Sequence, residues 1–238
     1  MGGIHMFALS IVLLGSFVLG SIPTSLWMGR LTQGIDIREH GSGNAGATNT
    51  FRILGWQCGV TVLVVDFMKG FTASFWLSRL AFQLGSGPIS PPAWDVTAFV
   101  PIACGVFAVL GHAFSLLAQF KGGKGGATAA GMLYGIEPIS ISIAVVIFLI
   151  VLFSTRYVSL STMLAVFAYP LLQIIFKHFV GWDIDPSIII LSSFAAAFII
   201  YKHKSNIERL LSGTENRVKS FRPSSGLAKQ DPNFGKAK

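Results

Sequence analysis

Apolar runs of about twenty residues recur along the chain, at roughly 7–29, 54–78, 96–118, 160–176 and 187–201, with short polar stretches between them. A run of that length is what an α-helix needs to cross a hydrocarbon layer ~30 Å thick. The segment 127–153 is apolar too, but Glu137-Pro138 interrupts it. Proline and the residue before it resist helix, so this segment reads either as one long span or as two short helices meeting there. The 127–136 half is too short to cross upright, and is expected to be partly re-entrant or shielded by protein.

Charge chooses between the two readings. With two short helices there are seven spans, and fifteen of the eighteen Lys and Arg fall on one side of the membrane. One long span leaves a best split of eleven against six. Positive charge gathers in short cytoplasmic loops. The expectation is therefore an all-α integral membrane protein of seven transmembrane helices, some short or broken, with the N-terminus outside and the C-terminus cytoplasmic. Residues 1–217 read as a single multi-pass domain, and 218–238 as a polar, disordered cytoplasmic tail.

Composition agrees. Of 238 residues, 52% are hydrophobic and only 12% charged, against about 25% charged in a typical soluble domain. The net charge of +8 forms no single stripe, and no zinc spacing or RNA-binding signature accompanies it, so nucleic acid is not an expected partner. Membrane lipid and an anionic substrate fit this charge better. Cys58 and Cys104 lie inside apolar runs and read as small buried residues, with no disulfide, metal site or cofactor indicated. The first run is preceded by one histidine and no Lys or Arg, so it reads as a mature span and not a signal peptide.

Two glycine-rich polar stretches carry the candidate chemistry: GSGNAGATNTFR (41–52) and KGGKGG (121–126). Glycines such as Gly43, Gly122 and Gly123 let backbone N–H groups approach an anion; Ser42 and Thr48 add hydroxyls, and Arg52 can grip phosphate oxygens bidentately. A plain polar turn would not need that density. KGGKGG is no Walker loop, since Gly follows Lys124, yet ahead of a helix it can offer amides and ammonium groups to phosphate. Gly122/Gly126 and Gly131/Gly135 also have the spacing of close helix packing. His203 and Asn206 share a helical face at the end of the last apolar run. Asp66 and Lys69, three apart inside the second run, read either as a packing ion pair or as functional charges, and His112 as a hydrogen-bonding histidine. In the seven-span topology all the glycine-rich and His203 segments, with STRYVS (154–159), fall on the cytoplasmic side. No nucleophile elbow and no cysteine–histidine arrangement is present, which leaves an acyl-enzyme route without a candidate.

The segments GSIPTSLWMGR (20–30), GSGNAGATNTFRILG (41–55), DFMKG (66–70), GHAFSLLAQFKGGKG (111–125), TRYVSLS (155–161) and KHKSNIERLLSGTENR (202–217) occur in this order. Together they resemble the bacterial membrane acyl-phosphate:glycerol-3-phosphate acyltransferase family. Ala45, Ser115 and Gly126 depart from the residues common at their positions, and Lys202 and Lys204 stand where arginines often flank the histidine. The resemblance implies transfer of a fatty acyl group from a long-chain acyl-phosphate to the sn-1 hydroxyl of glycerol 3-phosphate. The product is lysophosphatidic acid, the first step of bacterial phospholipid synthesis. It implies a site facing the cytoplasm in the bacterial inner membrane, and a soluble enzyme making acyl-phosphate as a candidate partner. Carried over position by position, the family's site falls on Ser42, Asn44, Thr48, Arg52, Lys124, His203 and Asn206, with Ser42, Lys124, His203 and Asn206 in the chemistry. Either a substrate phosphate or His203 serves as base. His178 and Asp183 match the H-x4-D spacing of other acyltransferases, but in this topology they lie on the outer face. The competing class is a transporter of a phosphorylated metabolite, which would use the same glycine loops and cations. It predicts polar residues spread through the spans and an internal repeat, and neither is evident.

Overall fold

The computed structural model describes residues 2–84, 96–218 and 226. All regular structure among them is helical. The expected tail lies almost wholly outside the described residues. The chain divides into two compact units, 1–136 with 222–238, and 137–221.

In the first unit, α1 (Gly2–Gly20) and α2 (Thr24–Gln33) are halves of one apolar stretch. Pro23 has no N–H to donate and disfavours helix at Ile22, which explains the break. Carbonyls freed at such a break need internal partners at membrane depth. Ser115 Oγ donates to Ser21 O, and Lys69 Nζ to Ile22 O at 2.6 Å. After a 3₁₀ turn at Ile37–Glu39 come α3 (Ala47–Leu54) and α4 (Trp56–Phe71). The latter runs through a π turn (Thr72–Leu77) into α5 (Ser78–Gln83). Then α6 (Val96–Ala113) and a 3₁₀ turn at Leu116–Ala118 lead to α7 (Gly126–Ile136).

Glycines set the crossings in this unit. A Cβ at Gly20 would strike the Ala108 carbonyl and one at Gly111 the Phe17 carbonyl, so α1 and α6 touch backbone to backbone. Gly70 and Gly131 do the same for α4 and α7, against Thr128 and Phe67. Without a hydrophobic force between helices in lipid, this close packing is the main source of association. Of the four glycines spaced for packing, Gly131 and Gly135 are so used, while Gly126 faces open space and Gly122 abuts the His112 carbonyl.

In the second unit, α8 (Pro138–Thr155) begins where the sequence places the break. Pro138 occupies the first helical turn, and the Glu137 carboxylate accepts from Ile139 N and Ser140 N at 3.1 and 3.0 Å, which caps the helix and complements its dipole. Next is α9 (Val158–Ile175), extended by a π turn at Phe176–Val180. Asp185 caps α10 (Pro186–Lys202), and α11 (Lys204–Leu211) follows at an angle of 55°.

Among the described residues, five stretches are long and apolar enough to cross a membrane, Phe7–Gln33, Trp56–Gln83, Thr97–Ala118, Pro138–Thr155 and Val158–Val180, and a sixth if α10 and α11 count as one bent span. α7 has eleven residues, about 16 Å at 1.5 Å per residue, so it lies well short of a full crossing.

Candidate active site

In the first unit the GSGN loop is folded back onto the start of α3 by Asn49. This buried side chain accepts from Ser42 N at 3.0 Å and donates to Ile37 O and His40 O at 3.1 and 2.9 Å. Arg38 ties the loop to its neighbour: it pairs with Asp36, and its Nη1 donates to Ala118 O at 3.1 Å, just ahead of KGGKGG. The Arg38 hydrogen bond holds the Asp36 carboxyl below its ordinary range. With the loop so pinned, Ser42, Thr48 and Arg52 are exposed and Asn44 is half-buried.

The second loop leaves α6 at His112. Gly122 N donates to Ala113 O and Gly123 N to His112 O, at 3.1 and 3.2 Å, and Lys124 then stands exposed. A Cβ at Gly123 would collide with the Ala45 carbonyl, so the two glycine-rich loops lie side by side.

One expectation needs correcting here. The amides of Ser42, Gly43, Gly46, Gly122 and Gly123 all donate within the protein, so they do not form a row of free N–H groups. The first bonds of α3 and α7 are Thr50 N to Gly46 O and Ala129 N to Gly125 O. The first-turn amides ahead of them have no intrahelical partner and are the donors left for an anion. In Gly43, Gly122 and Gly123 the glycine serves close backbone approach.

Under these loops lie Asp66 and Lys69, both 2% exposed, and His112 at 8%. Lys69 Nζ is 2.5 Å from Asp66 Oδ1 and also caps the broken helix at Ile22. The pair thus makes the ion-pair contact that the packing reading describes, and Asp66 also faces the cavity beside His112. His112 Nδ1 lies 3.7 Å from the same carboxylate oxygen. Thr24, Asp66, His112, Ser115, Gly122 and Gly123 line a small cavity, and the buried Thr24 Oγ1 on its wall has no partner.

In the second unit, Glu215 gathers the polar groups. Its carboxylate accepts from Ser159 Oγ at 2.7 Å, Asn206 Nδ2 at 2.9 Å and Arg209 Nε at 2.7 Å. Burial pushes this carboxyl up, but the three hydrogen bonds outweigh it and hold the group below its usual range. His203 caps α10, with Nδ1 2.8 Å from Ile199 O. A carbonyl can only accept, so Nδ1 carries the proton, and a neutral ring has its lone pair on Nε2. Arg217 Nε donates to Tyr157 OH at 2.8 Å. STRYVS and the His203 segment thus converge. His178 and Asp183 lie beyond the opposite end of α9, whose eighteen residues span about 27 Å.

Sequence reasoning singled out neither Glu215 nor Asn49. Both stand inside motif segments; what could not be read was their partners, Ser159 being 56 residues from Glu215.

Comparison with known proteins bears on what these groups serve. The family profile described as glycerol-3-phosphate acyltransferase matches residues 10–213. A glycerol-3-phosphate acyltransferase of Salinibacter ruber is 43% identical over 93% of this chain and 97% of its own. One from Chlorobaculum parvum is 45% identical over 85% and 93%. Among solved structures, the integral membrane glycerol 3-phosphate acyltransferase PlsY in its glycerol 3-phosphate form is 32% identical. It aligns with a TM-score of 0.68 over 88% of this chain and 95% of that one; its lysophosphatidic acid form gives 0.66. These matches leave the transporter reading without support. The chain belongs to the glycerol-3-phosphate acyltransferase family, membrane-embedded enzymes of phospholipid biosynthesis.

Proposed function

We propose that the acyl donor is a long-chain acyl-phosphate, and that its acyl group passes to the sn-1 hydroxyl of glycerol 3-phosphate, giving lysophosphatidic acid and phosphate. The observation that carries this reading is the pairing of two glycine-rich loops with exposed Ser42, Thr48, Arg52 and Lys124. Arg52, Lys124 and the first-turn amides of α3 and α7 neutralise phosphate. Ser42, Asn44 and Thr48 position it, while Gly43, Gly122 and Gly123 allow the close approach. His203 and Asn206 complete the substrate contacts, as the family resemblance assigns them. Seven spans, with α7 as a short one, put these loops at the cytoplasmic face of the bacterial inner membrane. Residues 1–217 act as one catalytic domain, and a soluble enzyme that makes acyl-phosphate supplies the donor.

Cys58 and Cys104 are buried and the sequence holds no nucleophile elbow, which supports direct transfer. The hydroxyl oxygen attacks the acyl carbon, the bond to the phosphate oxygen breaks, and the hydroxyl proton moves to a base. Phosphate leaves readily, so charge neutralisation and placement supply most of the catalysis. A substrate phosphate, with a second pKa of about 6, takes the proton. The anchored Nδ1 of His203 favours a second base, since in the neutral ring Nε2 is then the nitrogen that can accept a proton. His203→Gln decides between them: retention of a few per cent of kcat with an unshifted pH profile supports the phosphate, and a loss of about 10² to 10⁴ supports the imidazole.

Purified protein in detergent given glycerol 3-phosphate and palmitoyl-phosphate tests the whole reading. Stoichiometric lysophosphatidic acid and phosphate, abolished by Lys124→Ala, is expected. Turnover with acyl-CoA or acyl carrier protein thioesters alone would overturn the donor assignment.

A further inference from the structure

We propose that His112 is a positioning residue that acts through Lys124. The imidazole stands beside the residues that flank that lysine, and packs closely at Gly123. On one side its Nε2 lies where a Cβ of Gly123 would stand, and on the other its Cδ2 is the third-nearest neighbour of a Cβ at Gly125. The backbone of the same residue holds the loop as well, because His112 O accepts from Gly123 N at 3.2 Å and abuts Gly122. Lys124 itself is exposed, and no hydrogen bond of its side chain is present among the described residues, so its place depends on the backbone at 123 and 125. Gly125, at φ +76°, is in the left-handed region, which makes the turn after Lys124 sensitive to what supports it.

The Asp66 carboxylate stands beneath the ring, beyond hydrogen-bond distance. Asp66 Oδ1 lies 3.7 Å from Nδ1, and Lys69 fixes that carboxylate while capping the broken helix. The cluster is therefore a buried column running from the α1–α2 break through Asp66 and His112 to the loop that presents Lys124. Holding a flexible lysine's base in one geometry lowers the ordering cost of gripping phosphate. The inference rests on Lys124 acting as a phosphate ligand.

The test is calorimetric binding of glycerol 3-phosphate, without donor, to wild type, His112→Ala, Lys124→Ala and the double variant, each confirmed folded by its thermal midpoint. His112→Ala is expected to weaken binding at least tenfold, and the double variant to bind as Lys124→Ala does, within about twofold, because one effect runs through the other. His112→Gln, with an amide of similar reach, is expected to recover most of the loss. Wild-type affinity in folded His112→Ala, or losses that multiply in the double variant, would overturn the inference. If His112→Ala does not fold, His112→Asn, whose shorter amide no longer reaches the loop, is run through the same cycle. Lys124→Ala binding as wild type would instead sink the Lys124 assignment on which the inference stands.

Discussion

A single buried amide decides the shape of the first glycine-rich loop. Asn49 satisfies one donor and two acceptors of the segment 37–42. Asn49→Ala should cost about 1–3 kcal/mol from the unsatisfied groups left behind and raise KM for glycerol 3-phosphate; thermal midpoint and steady-state kinetics in detergent check both. Glu215 plays the equivalent part around Asn206. Its folded-state pKa is depressed, so its stabilisation is complete above the ordinary glutamate value, about 4.3, and is lost as pH falls through the lower folded value. Glu215→Gln should therefore lower the thermal midpoint at neutral pH and flatten its fall on the acid side, read from melting curves between pH 3 and 7. The sequence names both residues within its motifs, but the partners that give them meaning are remote along the chain.

At the scale of elements, proline was the most legible signal. Pro138 marks the break between α7 and α8, and the structure adds the Glu137 cap that stabilises it. Pro23 ends α1 in the same way, although the apolar pattern runs through it as one span. What repairs that break is Lys69, whose pairing with Asp66 is readable from i, i+3 spacing, whereas its bond to the Ile22 carbonyl is not. Lys69→Met would leave a buried carboxylate and an unpaired carbonyl, and loss of one partner of a buried pair costs about 3–5 kcal/mol. The expected result is poor recovery of folded protein, with Asp66→Asn combined with Lys69→Met recovering more than Lys69→Met alone.

For the whole molecule, the seven-span topology makes a sidedness prediction. Single cysteines at Gln119 and Lys177, in a background with Cys58 and Cys104 replaced by alanine, should be modified from opposite faces of the membrane by an impermeant maleimide. Modification from the same face would return 127–153 to a single crossing. The sequence by itself determined the helical class, the membrane environment, the break at 137–138 and the family, because these follow from local periodicity, proline chemistry and contiguous motifs. Only the tertiary structure decided which amides remain for a ligand, what completes the broken first helix, and that Asp66, His112 and Gly123 stand in one column. Each of these depends on atoms distant in sequence meeting in space, and backbone groups at membrane depth accept whichever partner the packing supplies.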